Sequence, residues 1–327
     1  MHLRIDKQLL KLILIVLGAV LFLVCVYFVL SNIEKNENVY TPAVTGSDDG
    51  YVYLGNTPYE KRNDITTYLV LGIDNFGEMK SSGSYINDGQ SDFIGLIVYN
   101  RTDKSYSILQ INRDTMTDVD ALGIGGKVVE TKQMQIALAH TYGDGMHESC
   151  RNAVKAVENL LYGIEIDHYI AVNMTGLEKL VDAVGGVTVT INHDFSLVDP
   201  SLVQGETMLL NGKQALTYVR SRSSVGDGTN LARTERQRDF MKQLSAQVSA
   251  KSDMSTAALL EIADYMLSDL SASSLSDTAN KLTDAEFLGI LTPQGEAVAG
   301  EEFIEFYADD AHIKELVINL FYKSVEK

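Results

Sequence analysis

Residues 168–191, HYIAVNMTGLEKLVDAVGGVTVTI, read in turn as strand, helix and strand. Residues 168–173 suit a pleated strand. Residues 174–184 read as a helix, and Gly185-Gly186 supplies the expected helix stop. Residues 187–191 form a run of β-branched side chains, the signature of a further strand. A chain that alternates in this way is an α/β protein, with a central mixed sheet flanked by helices on both faces.

The same pattern extends outward. Upstream, residues 67–73 (TYLVLGI) are a short apolar run ending in Asp74, and residues 93–99 and 105–111 read as two more strands joined by a polar turn. The intervening loop, residues 75–91, is rich in Gly, Ser and Asn, and a loop of that length is usually functional or mobile. Helical spacing predicts helices over 131–142 and 148–162. Downstream, Asn211 is a plausible N-cap for a short helix, and a longer helix is expected from 231 to 250. Residues 251–327 read as helical and acidic, with strand character near 303–307. The sequence leaves open whether they form a subdomain or close the same core.

The N-terminus indicates the compartment. Residues 12–30 carry no charge over nineteen positions, enough at helical rise to cross a bilayer. Arg4, Lys7 and Lys11 precede the run, whereas Glu34, Lys35 and Glu37 follow it. The positive-inside bias therefore places residues 1–11 in the cytosol, residues 12–31 in the membrane and the remainder outside. The apolar run is longer than a usual signal-peptide core, and VLSNIEK offers no small-x-small cleavage site, which favours an uncleaved anchor. Residues 32–64 are polar and carry two of the four prolines, as expected of an extracytoplasmic linker.

Composition excludes several functions. The two cysteines, Cys25 in the apolar run and Cys150 in an expected helix, do not form a plausible disulfide. The chain contains no CxxC, HExxH or GxSxG, so zinc and serine hydrolase chemistry has no motif to rest on. A formal net charge of -17 argues against nucleic acid, which requires a broad basic footprint.

Against that acidic background, RSRSSVGDGTNLARTERQR (residues 220–238) holds five of the ten arginines. If residues 216–222 form a strand, Arg220 and Arg222 leave the same face. Arg233 and Arg236, three apart in a helical stretch, share a face as well. Together they can grip a small anion, because a guanidinium binds phosphate oxygens bidentately and keeps its charge. An ordinary solvated basic face is the competing reading. Asp74 and Asp92 stand at neighbouring strand ends, where α/β sheets collect their ligands, and two carboxylates there suit Mg2+ or Mn2+. Arg113-Asp114 ends another strand, and a purely structural ion pair is its alternative reading.

The ordered stretches LVLGID, SDFIGLIVYN, LQINRDT, DAVGGVTV, NGKQALTYVRSR and GDGTNLARTERQR resemble the successive motifs of the LytR-CpsA-Psr family. The resemblance implies a membrane-anchored extracytoplasmic protein of a bacterial plasma membrane, with its catalytic domain at residues 65–250. It further implies transfer of a phosphoglycopolymer (teichoic acid, capsule or a related glycan) from a polyprenyl-pyrophosphate carrier to peptidoglycan. The metal-binding aspartates of the family fall on Asp74 and Asp92. Its pyrophosphate-binding residues fall on Arg113, Arg220, Arg222, Arg233 and Arg236, followed by Gln237. Three positions depart from the common pattern. Gln90 replaces an arginine, Gln133-Met134-Gln135 replaces Lys-Ile-Asn, and Arg238 replaces a glutamine. For the general base, Asp92 and Asp114 both stand as candidates. A lipid-phosphate-binding regulator without transfer activity and a polyprenyl-pyrophosphate hydrolase are the alternative functions. A transferase also needs an apolar groove for the lipid between sheet and helices, which sequence alone does not reveal.

Overall fold

The computed structural model describes residues 45–46, 52–54, 57–222, 224–226, 228, 230–250, 262–300 and 303–325. The expected cytosolic segment and membrane anchor lie outside the described residues, as does most of the linker's first half. Among the described residues, no helix is long and apolar enough to cross a membrane. The chain divides into two units at Pro58. The first unit contributes β1 (Thr45–Gly46) and β2 (Val52–Leu54), paired antiparallel.

The second unit begins within β3 (Thr57–Lys61), which is followed by β4 (Ile65–Ile73), β5 (Ser91–Asn100) and β6 (Ser105–Ile111). Then come β7 (Met116–Leu122), β8 (Val128–Gln135), a 3-10 turn (Ile136–Thr141), α1 (His147–Leu160), β9 (His168–Asn173) and α2 (Met174–Ala183). β10 (Val187–Thr190) and β11 (Thr207–Leu210) precede α3 (Gly212–Arg220) and α4 (Asn230–Ala250). The C-terminal part adds β12 (Met266–Ser268), α5 (Ala272–Thr283), β13 (Glu286–Leu291), β14 (Gly295–Ala299), β15 (Ile304–Ala308), α6 (Asp310–Phe321) and β16 (Tyr322–Ser324).

The central sheet has the order β12-β9-β4-β5-β6-β13. It is mixed, because β4 runs parallel to β9 and antiparallel to β5, and β6 runs parallel to β13. Residues 251–327 are therefore not simply helical: β12 and β13 supply both edges of this sheet. β16 pairs with Tyr59, Glu60 and Lys61 at the end of β3.

Alternation along β4 sets the two layers. Leu69, Leu71 and Ile73 turn toward α1 and α6, packing with Ala153, Val157, Ile313 and Phe321 in one continuous core. Full burial of each such side chain is worth about 2 kcal/mol. On the opposite face, Tyr68 packs with Leu282 of α5. Beside it, α2, α3, α4 and the β10–β11 pair share a core of their own, built around Val181, Val189, Tyr218 and Phe240.

Two sequence expectations are overturned here. Residues 131–135, expected to begin a helix, belong to β8, which pairs antiparallel with β7, and only the 3-10 turn follows before α1. The stretch VVETKQMQ is exposed along most of its length, so it has no apolar stripe to dock as a helix. Residues 216–220, considered as a strand, are the second half of α3. A complete capping box starts that helix, with Asn211 accepting from the Gln214 amide and the Gln214 side chain accepting from the Asn211 amide. Gly212 is required there, because a Cβ would stand 2.1 Å from the Glu178 carbonyl of α2.

The long loop after β4 is pinned where it returns to the sheet. Asp74 N–H donates to the Gln90 carbonyl (2.9 Å), and buried His140 donates from Nδ1 to the Gly89 carbonyl (2.8 Å). Burial pushes the His140 imidazole down to about 4 from an ordinary 6.5, although the Gly89 bond and Asp144 favour its proton. The same burial pushes the neighbouring Cys150 thiol up to about 12. Between pH 6.5 and 4 the unfolded chain takes a proton at His140 that the folded chain refuses, so stability falls with pH across that window. Full passage through it is expected to cost about 3 kcal/mol. In urea unfolding series from pH 7 to 4, His140→Gln should remove this part of the slope, and an unchanged slope would refute the assignment.

Candidate functional site

The carboxyl end of β4 and the start of β5 bring Asp74 and Asp92 to one end of the sheet, and α3 ends above them. Asp74, Asp92, Arg113, Arg220 and Arg233 line one polar pocket of about 480 Å³. Asp92 lies at its base, only 7% exposed. Its Oδ1 accepts from Arg113 Nη1 and its Oδ2 accepts from Arg233 Nη1 at 3.3 Å. Arg220 Nη2 donates to Asp74 Oδ1 at 2.9 Å from a more exposed position, and its guanidinium lies 5.3 Å from the centre of the Phe76 ring. Burial holds the Arg233 guanidinium below its ordinary value and neighbouring Arg113 adds to this, against the pull of Asp92. An added anion would relieve that imbalance.

The other expected residues divide into two groups. Arg222 and Asp114 line a second pocket of about 320 Å³, which shares Arg113 with the first. Arg236, 2% exposed, turns away from the pockets into the C-terminal end of α3. It donates from Nε to the Tyr218 carbonyl at 3.3 Å and from Nη2 to the Ser221 carbonyl, and its guanidinium lies over the Phe195 ring. Gln237 donates to the Val219 carbonyl at 3.4 Å. The last turn of a helix leaves carbonyls without intrahelical partners, and these two side chains of α4 satisfy them. They fix the turn that carries Arg220.

Directly beside the polar pocket, between the sheet and α2, α3 and α4, lies an apolar cavity of about 120 Å³. Val70, Phe93, Leu177, Phe240, Met241 and Leu244 line it, and Asp92, Arg220 and Gln237 mark its polar end. Gly95 is what allows the Phe93 ring to lie flat on the sheet, because a Cβ there would meet the ring at 2.9 Å. This groove was not legible in the sequence, since helices lining it carry the same apolar stripes as helices lining a core.

Gln90 and Gln135, two departures from the common motifs, both have a place. Gln90 Oε1 accepts from Arg113 Nη2, so Arg113 is held by a neutral acceptor as well as by Asp92. Buried Gln135 donates to Asp114 Oδ1 at 3.2 Å and to the Ile304 carbonyl at 2.7 Å, tying the β14–β15 hairpin to the site. Neither contact had a sequence signal.

For a metal, the donor set is suitable in kind, with two carboxylates lining one pocket among three arginines. Both are paired with arginines, so a cation would exchange with Arg113 or Arg220 for its position. Among the described residues there is no group of three or more His, Cys, Asp or Glu able to hold a metal ion unaided.

An α/β domain with a polar arginine pocket opening beside an apolar groove has the form that an amphiphilic anion would fit. The chain belongs to the LytR_cpsA_psr family, whose profile matches residues 27–317. It is 33% identical over 205 residues to an Enterococcus faecalis protein named polyisoprenyl-teichoic acid–peptidoglycan teichoic acid transferase TagU, covering 62% of this chain and 61% of that one. A Halalkalibacterium halodurans protein of the same name is 30% identical over 197 residues, covering 60% and 58%. The chain thus spans about three fifths of the length of these curated relatives. Among solved structures, TagT bound to LI-WTA superposes with a TM-score of 0.60 at 22% identity, covering 79% of this chain and 90% of that one. That likeness establishes the fold.

The two roles of the arginines separate by stability. Arg236→Ala strips donors from buried carbonyls and should lower the unfolding free energy by about 2–4 kcal/mol. Arg220, whose side chain is 46% exposed, should cost less than about 1 kcal/mol as Arg220→Ala. Equal losses in urea unfolding would contradict the division.

Proposed function

We propose that this protein transfers a phosphoglycopolymer from a polyprenyl-pyrophosphate carrier to peptidoglycan, at the external face of the membrane that anchors it. The observation that carries the reading is the continuity of the polar pocket with the apolar groove through Asp92 and Arg220. A pyrophosphate with a prenyl tail has the same two parts in the same order. The names of the relatives support the substrate class.

In this reading Arg113, Arg220 and Arg233 bind the pyrophosphate oxygens and spread the charge that develops at the attacked phosphorus. Arg236 and Gln237 act through α3, holding the turn that carries Arg220. Asp74 and Asp92 would hold Mg2+ or Mn2+, which supplies further charge neutralisation on the phosphates. Both oxygens of Asp92 are engaged by guanidinium groups, whereas Asp114 Oδ1 stands 3.6 Å from Arg113 Nε and accepts from neutral Gln135, so the role of base is assigned to Asp114.

The test is incubation of the full chain with Mg2+, a polyprenyl-pyrophosphate-linked sugar and peptidoglycan oligomers. A phosphodiester-linked product is expected, and Arg113→Ala should lower kcat/KM by about 10²–10³. Release of sugar phosphate to water alone would indicate a hydrolase, and binding without turnover would indicate a regulator. Either result refutes the proposal. Filling the groove with Leu177→Trp should weaken binding of the prenylated donor about tenfold while inorganic pyrophosphate binds as before. Equal effects on both ligands would show that the groove does not hold the tail.

A further inference from the structure

Apart from Arg113 and Asp114, the walls of the second pocket take no part in the reading above. Its walls are Arg113, Asp114, Gln135 and Arg222 on the site side, with Gly300, Phe303 and Ile304 from the β14–β15 hairpin opposite. The hairpin is fixed in place: Phe306 N–H donates to the Asp114 carbonyl at 2.9 Å, Thr115 and Phe306 form a parallel bridge, and Gln135 reaches the Ile304 carbonyl. Phe303 is nonetheless 62% exposed at the rim, and Ile304 beside it is also exposed. An aromatic ring in solvent above a pocket lined by a carboxylate, an amide and two guanidinium groups is an arrangement for a sugar. The ring takes the apolar face of a pyranose and the polar groups take its hydroxyls.

The order of the cavities adds a second argument. The apolar groove shares Asp92 and Arg220 with the polar pocket, and the polar pocket shares Arg113 with the hairpin pocket. In phosphoryl transfer the attacking and leaving oxygens lie roughly in line across phosphorus. With the lipid phosphate leaving toward the groove, the nucleophile has to enter from the side that Arg113 and Asp114 border.

We propose that the hairpin pocket is the acceptor subsite, binding a hexosamine of a peptidoglycan glycan strand against Phe303. The proposal rests on the transfer reading and adds the location of its second substrate. The hexosamine hydroxyl oxygen attacks the sugar-bearing phosphorus, and its proton passes to Asp114. The new O–P bond forms as the anhydride P–O bond breaks, and the lipid-side phosphate leaves with the bonding pair as polyprenyl monophosphate. Arg222, which faces this pocket rather than the donor pocket, then serves the acceptor.

The chain contains no tryptophan, so Phe303→Trp in the full chain places a single fluorescent reporter at the rim. Titration with peptidoglycan oligosaccharides, without donor, should give a saturable change in emission. In the transfer assay, Phe303→Ala should raise the acceptor KM about tenfold while the donor Kd stays the same. Emission that stays flat up to millimolar oligosaccharide, or an acceptor KM unmoved by Phe303→Ala, overturns the proposal. A chain that binds the oligosaccharide but not the donor refutes the transfer reading and leaves the pocket standing.

Discussion

The buried carboxylate of Asp92 organises the site. It holds Arg113 from the end of β6 with one oxygen and Arg233 from α4 with the other, so a single side chain ties the sheet to the helical layer above it. A buried ion pair costs desolvation on both partners and is weak evidence for stability. Its effect here is geometric. Two guanidinium groups, which repel each other, are kept side by side at the bottom of a pocket, and an anion entering that pocket meets charge already positioned for it.

Charge elsewhere in the site follows from that constraint. Arg220, on the more exposed side, pairs with Asp74, while Arg236 and Gln237 cap the helix that presents it. The basic segment therefore partly lines the pocket and is partly structural, although its arginines look equivalent in sequence. The glutamines at positions 90 and 135 take part in the same organisation. One shares Arg113 with Asp92, and the other steadies Asp114 and the hairpin.

Much of the architecture was legible because the periodicities were clean. The strand, helix and strand of 168–191 occur as read, and Asn211 caps its helix as its residue type implies. β8 was misread because TKQMQIALAH mixes polar residues with apolar spacing, and the spacing belongs to the 3-10 turn rather than to a helix. The reading of 216–222 as a strand weighed the two-residue spacing of Arg220 and Arg222 above the capping box that starts α3. Asp74, Asp92 and Arg113 stood out because they lie at strand ends, Arg220 and Arg233 because of their spacing in a basic segment, and the family resemblance joined them in one site. The apolar groove was expected between sheet and helices with no residues named for it, and the hairpin pocket was not expected at all. Both are spaces between elements distant in sequence, and no local pattern encodes an unfilled volume.

A crystal structure of the full chain with a polyprenyl-pyrophosphate-linked sugar bound tests the central claim most directly. The account requires the pyrophosphate among Arg113, Arg220 and Arg233, the prenyl chain between the sheet and α2–α4, and the pocket between Arg222 and the hairpin left open for the acceptor. A pyrophosphate bound elsewhere on the surface, or a prenyl chain lying outside the groove with Phe93 and Leu177 untouched, would contradict it.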